Sequence, residues 1–150
     1  MKIGELAKLA DCKVETVRYY EREGLMPAPT RSEGNYRLYT SEHLERLTFI
    51  RNCRTLDMAI FEIRSLLALT EQPEENCGRV NSLIDEHIEH VQARMASLLE
   101  LQQQLVELRN RCAGERGVDE CEILKRLNAT GSLNSPQNNG DTHAGKSHVR

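Results

Sequence analysis

The chain has 150 residues, a net charge of -3 and 4% aromatic residues with no tryptophan, which suits one ordinary domain or a small domain with an extension. No apolar run approaches the ~18 residues of a membrane span, and the start, MKIGELAKLA, is too polar for a secretory signal, so a soluble, cytoplasmic protein is expected. Five cysteines, an odd number, read in that setting as thiols and not as a disulfide framework.

The first eleven residues read as a short helix with Ile3, Leu6, Ala7 and Ala10 on one face, broken at Asp11-Cys12-Lys13. Val14 to Glu23 reads as a second helix, with Val14, Val17 and Tyr20 inward and Gly24 as its stop. Two short helices joined by a tight turn make a helix-turn-helix. The stretch LMPAPTRSEGNYRLYT follows, rich in Pro and Gly; Ser32 to Asn35 is a turn, and alternation over 36–39 predicts a short hairpin, a wing. Thr40-Ser41 caps a third helix to about Arg54. After a turn at Leu56-Asp57-Met58, a fourth helix spans Ile60 to Leu69 with Ile63, Leu66 and Leu67 inward. Residues 1–70 are thus expected to form a winged helix-turn-helix head, and 71–79 a hinge.

From Arg79 to Arg111 there is neither Gly nor Pro, which predicts a long helix over 80–112. Ile84, Val91, Leu98, Leu105 and Cys112 recur seven apart; Val80, Leu101 and Leu108 share a second row with the polar His87 and Arg94, and Ile88 and Met95 widen the stripe. No neighbouring domain is large enough to cover such a helix, so an antiparallel coiled-coil homodimer is expected. At ~1.5 Å per residue, Cys77 and Cys112 stand roughly 50 Å apart in one chain. If they share a ligand, Cys77 must come from a second chain. Residues 113–127 form a loop and a short helix from Cys121, and 128–150 are too polar to order themselves and are expected to be mobile. The fold class is mostly α with a small β wing.

From Lys13 to Arg54 there are eight Lys/Arg against six Glu, a small surplus, so any case for DNA rests on placement. The second helix is expected to turn Glu15, Thr16, Arg18, Tyr19 and Arg22 outward; Arg18 suits guanine, and Thr16 or Tyr19 a thymine methyl or a phosphate. Arg31, Asn35, Tyr36, Arg37 and Tyr39 on the wing suit the backbone and minor groove, and Arg54 a phosphate. No nucleophile–base pair or paired carboxylates stand out, so an enzyme is not expected. A thiol metal-buffering or redox protein with an incidental head is the reading of another class.

The segments IGELAKLADCKVETVRYYEREGL and RSEGNYRLYTSEHLERLTFIRNCRTLDM resemble the head of the MerR family of transcriptional regulators, a likeness that runs from Met1 to about Leu127. The resemblance implies a homodimer on promoter DNA shared with RNA polymerase. It also implies activation by distorting an overlong promoter spacer, which is control through DNA deformation.

The resemblance further implies a divalent-metal site made by Cys77, Cys112 and Cys121, matching a cysteine at the start of the dimerisation helix and two flanking the metal loop. Three thiolates suit Cd(II), Pb(II) or Hg(II), whereas zinc wants four ligands. Zinc sensors of the family carry extra Cys and His ligands at and after the loop cysteine, so the resemblance counts against zinc here, where Ala113 follows Cys112 and the loop has no His; copper sensors of the family lack the first cysteine, so Cys77 speaks against a monovalent ion. GNYRLYTSEHLERLTFIRNCRTLDM and CGRVNSLIDEHIEHVQARM resemble the cadmium- and lead-responsive branch, although mercury sensors share the spacing. Cys12 and Cys53 read as structural. His87 and His90, i,i+3 neighbours, with His143 and His148 in the tail, are candidates for a second site for Zn(II) or further cadmium; the plainer reading is surface histidines on an acidic helix.

Overall fold

A computed structural model describes residues 1–74 and 76–131. Its elements run α1 (Ile3–Leu9), α2 (Val14–Arg22), β1 (Thr30–Arg31), β2 (Arg37–Leu38), α3 (Ser41–Thr55), α4 (Ile60–Thr70), α5 (Gly78–Asn110), a single 3-10 turn (Val118–Glu120) and α6 (Glu122–Asn128). The described residues divide into two units, Met1–Ile84 and 85–131.

In the first unit three helices begin with the same device. The side chain three residues in accepts the backbone N–H that precedes the helix: Glu5 from Lys2 at 3.3 Å, His43 Nδ1 from Thr40 at 3.0 Å, and Glu62 from Ala59 at 3.1 Å. Each bond satisfies a donor left over at a helix start. The turns between elements use left-handed backbone at Asp11 (φ 52°), Asn35 (φ 64°) and Asp57 (φ 62°), residues whose short polar side chains tolerate it. Gly24 ends α2 at φ 73°, where any Cβ would be strained.

The helices pack because their apolar periods agree. Leu6 of α1, Val17 of α2, Leu25, Leu47 and Ile50 of α3, and Ile63 of α4 are all fully buried. Each such side chain contributes roughly 1.5–3 kcal/mol by leaving water. Arginines tie the corners: Arg46 donates to Leu25 O (3.1 Å), Arg51 to Ala10 O (2.7 Å), and Arg64 to Glu23 O (2.7 Å). Leu83 and Ile84, in the second turn of α5, also pack against this core. Ile84 was expected on the outer seam, but the head's own apolar surface claims it first.

The wing is a two-stranded antiparallel hairpin pairing Thr30 with Leu38 and Arg31 with Arg37. Its tip is laced by Ser32 N–H to Tyr36 O (2.8 Å) and Asn35 N–H to Ser32 O (2.9 Å).

The long helix starts at Gly78, two residues before the expected 80, because Asn76 Oδ1 accepts the Gly78 N–H at 2.7 Å. It ends at Asn110, so Cys112 lies beyond it and is not the last residue of a helical seam. In the second unit α5 exposes Val91 (41%), Leu98 (55%) and Leu105 (57%). No helix among the described residues is long and apolar enough to cross a membrane.

Candidate functional site

The functional candidates fall into two groups. The first lies on α2 and the wing. Arg18 is exposed and Tyr19 half-buried, its ring 5.4 Å from that of Tyr20. Thr16, expected outward, is 5% exposed. It stands one turn before the buried Tyr20 and so shares the inward stripe. Arg31, Asn35 and Tyr36 are exposed, and Arg31 Nη1 bonds Asn35 O and Oδ1 at 3.2 and 3.3 Å. Lys2 Nζ lies 5.5 Å from the centre of the Tyr36 ring, a cation–π contact.

Arg37 and Tyr39 are not free arms. Arg37 Nη1 reaches Glu21 Oε2 at 3.1 Å, with its side chain still about half exposed. Tyr39 is 2% exposed and its hydroxyl donates to Glu21 Oε1 at 2.5 Å. Burial and then the Glu21 carboxylate push its hydroxyl up to about 12. Two residues apart on an extended strand, side chains 37 and 39 share a face, and that face meets α2. Arg54 Nη1 donates to Met58 O at 2.9 Å and its guanidinium lies beside Tyr20. Glu21 was not singled out from the sequence. No local signal marks it, since its partners are 16 and 18 residues away.

The second group is the thiols. Cys77 is exposed and immediately precedes α5, its carbonyl accepting Asn81 N–H at 2.9 Å. Cys112 follows α5 and is half-buried; Arg109 Nη1 holds its carbonyl at 3.0 Å, and its thiol points at Gly114 O, 3.4 Å away. Cys121 caps α6, half-buried, and its carbonyl accepts Lys125 N–H at 3.1 Å. The Leu124 N–H at the start of α6, followed by the Ile123 N–H and the Cys112 thiol, holds the Cys121 thiol below its ordinary value. Cys112 and Cys121 thus stand at the two ends of the short segment between α5 and α6. A thiol pair with one member drawn toward thiolate fits a soft cation.

Cys12 and Cys53 differ in kind. Burial raises both thiols, with Arg51 partly opposing it at Cys12, and neither is drawn toward thiolate. His87 and His90 face each other on α5 with ring centres 6.4 Å apart, edge to face. His87 is 7% exposed, so it is not a surface histidine. His143 and His148 lie outside the described residues.

Comparison with known proteins identifies the family. The family described as MerR HTH family regulatory protein matches residues 1–70, and the one described as MerR, DNA binding matches residues 44–108. The chain is 49% identical over 111 residues to an HTH-type transcriptional regulator ZntR homolog of Haemophilus influenzae, covering 74% of this chain and 82% of that protein. Among solved structures it is similar to the transcription regulator PbrR691 of Ralstonia metallidurans in complex with lead(II). The identity is 54% and the TM-score 0.75, over 85% of this chain and 98% of that one. A MerR regulator of Bacillus megaterium in complex with mercury(II) matches at 31% identity and TM-score 0.66, over 85% and 98%. The chain belongs to the MerR family of helix-turn-helix, DNA-binding transcription regulators, and is not an enzyme.

Proposed function

We propose that this regulator is metal-responsive, with Cd(II) or Pb(II) as its signal, and that it activates heavy-metal resistance or efflux genes. In this reading the protein acts in the cytoplasm as a homodimer on promoter DNA shared with RNA polymerase. Cys77 of one protomer joins Cys112 and Cys121 of the other. The observation that carries the reading is the placement of the thiols, Cys77 just before α5, Cys112 just after it and Cys121 at the start of α6. Cys77 precedes the first residue of a 33-residue helix and Cys112 follows its last. At ~1.5 Å per residue that helix is roughly 50 Å long, so the third thiolate is supplied by a second chain. The apolar row Val91, Leu98 and Leu105, exposed on a single chain, supports an antiparallel pairing that brings the two ends together. The likeness to the lead(II)-bound PbrR691 supports a soft divalent ion.

A bound soft cation supplies three-thiolate cross-linking between protomers. The chain's own residues do the rest. Arg109 holds the Cys112 carbonyl at one end of the loop, and Cys121 begins α6 at the other. Stiffening of the loop is transmitted along α5 and through residues 71–79 to the heads, which distort the promoter spacer. Bending a short DNA site costs of order 1–6 kcal/mol, within reach of a ligand that favours one of two dimer states. The exposed Arg18 and the wing set the address.

The test is promoter transcription against divalent metals at matched free concentrations. Cadmium or lead should give the largest response, and a maximum with zinc overturns the metal assignment. Cys77→Ser should abolish the response, and mixing it with a Cys112→Ser/Cys121→Ser chain should restore part of it. An intact response in Cys77→Ser excludes the shared site.

A further inference from the structure

We infer that Glu21 is a positioning residue for DNA binding: it locks the wing onto α2 so that the two DNA-facing elements dock as one rigid surface. The inference deepens the reading of α2 and the wing as the address-setting elements.

A hairpin with two residues per strand has almost no stability of its own. The lacing at its tip holds its shape but does not aim it. Aim comes from contacts with the rest of the head, among them the Met1 ammonium donating to Tyr39 O at 2.7 Å. Tyr39 N–H donates to Met1 O at 2.8 Å, Lys2 lies over Tyr36, and Glu21 bonds Arg37 and Tyr39. The Glu21 contact comes from α2 itself. Its side chain is 15% exposed and each carboxylate oxygen takes a different residue, one on each side of Leu38. Two anchor points fix the strand's direction as well as its position.

The pairing also explains how Arg37 can serve DNA while bonded to a carboxylate. A guanidinium has five N–H donors, and Glu21 takes one at Nη1. The half-exposed side chain keeps further donors for a phosphate, and the ion pair removes the freedom of a long side chain before DNA arrives. A carboxylate next to a phosphate track repels it, so Glu21 is tolerated there for the order it imposes on Arg37.

The opposing view is that Glu21 merely weakens binding through its charge, and the two views differ in sign. The experiment uses the full-length chain and a duplex selected by the unmodified protein from random-sequence DNA, titrated at several salt concentrations. Glu21→Gln should keep its helical circular dichroism, bind about tenfold more weakly, and lose about one unit of salt slope as the Arg37 phosphate contact is lost. Equal or tighter binding overturns the inference. Arg37→Ala should weaken binding, and adding Glu21→Gln to it should change little more; additive losses also overturn it. Should Glu21→Gln melt the head, Tyr39→Phe decides, since it frees one carboxylate oxygen and keeps the buried ring; unchanged affinity there overturns the inference. If Arg37→Ala itself binds normally, the assignment of Arg37 as a DNA contact fails. Positioning fails separately when Arg37→Ala weakens binding and Glu21→Gln does not.

Discussion

The head and the region from Asp85 onward use the same apolar residues to opposite ends. In the head, Leu6, Leu47, Ile50 and Ile63 are fully buried by one another, so the unit completes its own core. From Asp85 onward, Leu98, Leu99, Leu105 and Val106 are each more than half exposed, although the helix that carries them is regular throughout. Helical periodicity produces an apolar stripe in both places, and what covers the stripe differs. A head with short helices and tight turns folds back on itself. Among the described residues most of the apolar stripe of the 33-residue helix beyond Ile84 stays uncovered, the kind of surface through which the proposed pairing would act. The boundary falls inside α5: Ile84 packs on the head core, and Val91, two turns on, is 41% exposed.

The contrast breaks most completely at the helix. Leu98→Asp with Leu105→Asp places charge on the exposed stripe and should convert the dimer to monomer in sedimentation. The head's near-ultraviolet signal and helical content up to residue 84 should be retained. Loss of the head with the dimer would mean that the head is not self-sufficient.

A smaller effect tests the other side. Leu47→Ala opens a cavity in the head and should destabilise it by about 2–5 kcal/mol in denaturant unfolding. The sedimentation behaviour of the surviving folded fraction should not change.

The smallest effect is invisible at neutral pH. Tyr39 is held protonated in the fold to about 12, above the ordinary value of 10. A raised value stabilises the fold fully below about pH 10, and that contribution disappears as pH rises through 12. Thermal unfolding of the head should therefore fall over that window, and Tyr39→Phe should flatten the fall. An identical profile in Tyr39→Phe would assign the loss to other groups.

Much of this was legible along the chain. The helices of the head, the hairpin and the long helix follow from apolar periods and from Gly24, Asp11 and Asp57, all local signals. Family membership was legible too, because it rests on contiguous segments. The site was legible only in part. Thr16, expected outward with Glu15 and Arg18, shares the stripe of Tyr20 and is buried. Cys112 was placed on the helical seam, and the helix stops two residues short of it.

By itself the sequence determined which residues are helical, which faces are apolar and which thiols stand near the ends of α5, since these depend on spacing within a few turns. Tertiary structure alone decided that Arg37 and Tyr39 answer to Glu21. Those outcomes depend on which backbone N–H or carboxylate arrives within 3 Å or so of a side chain. Helical and strand periods are properties of neighbours along the chain, and such meetings are properties of the folded chain.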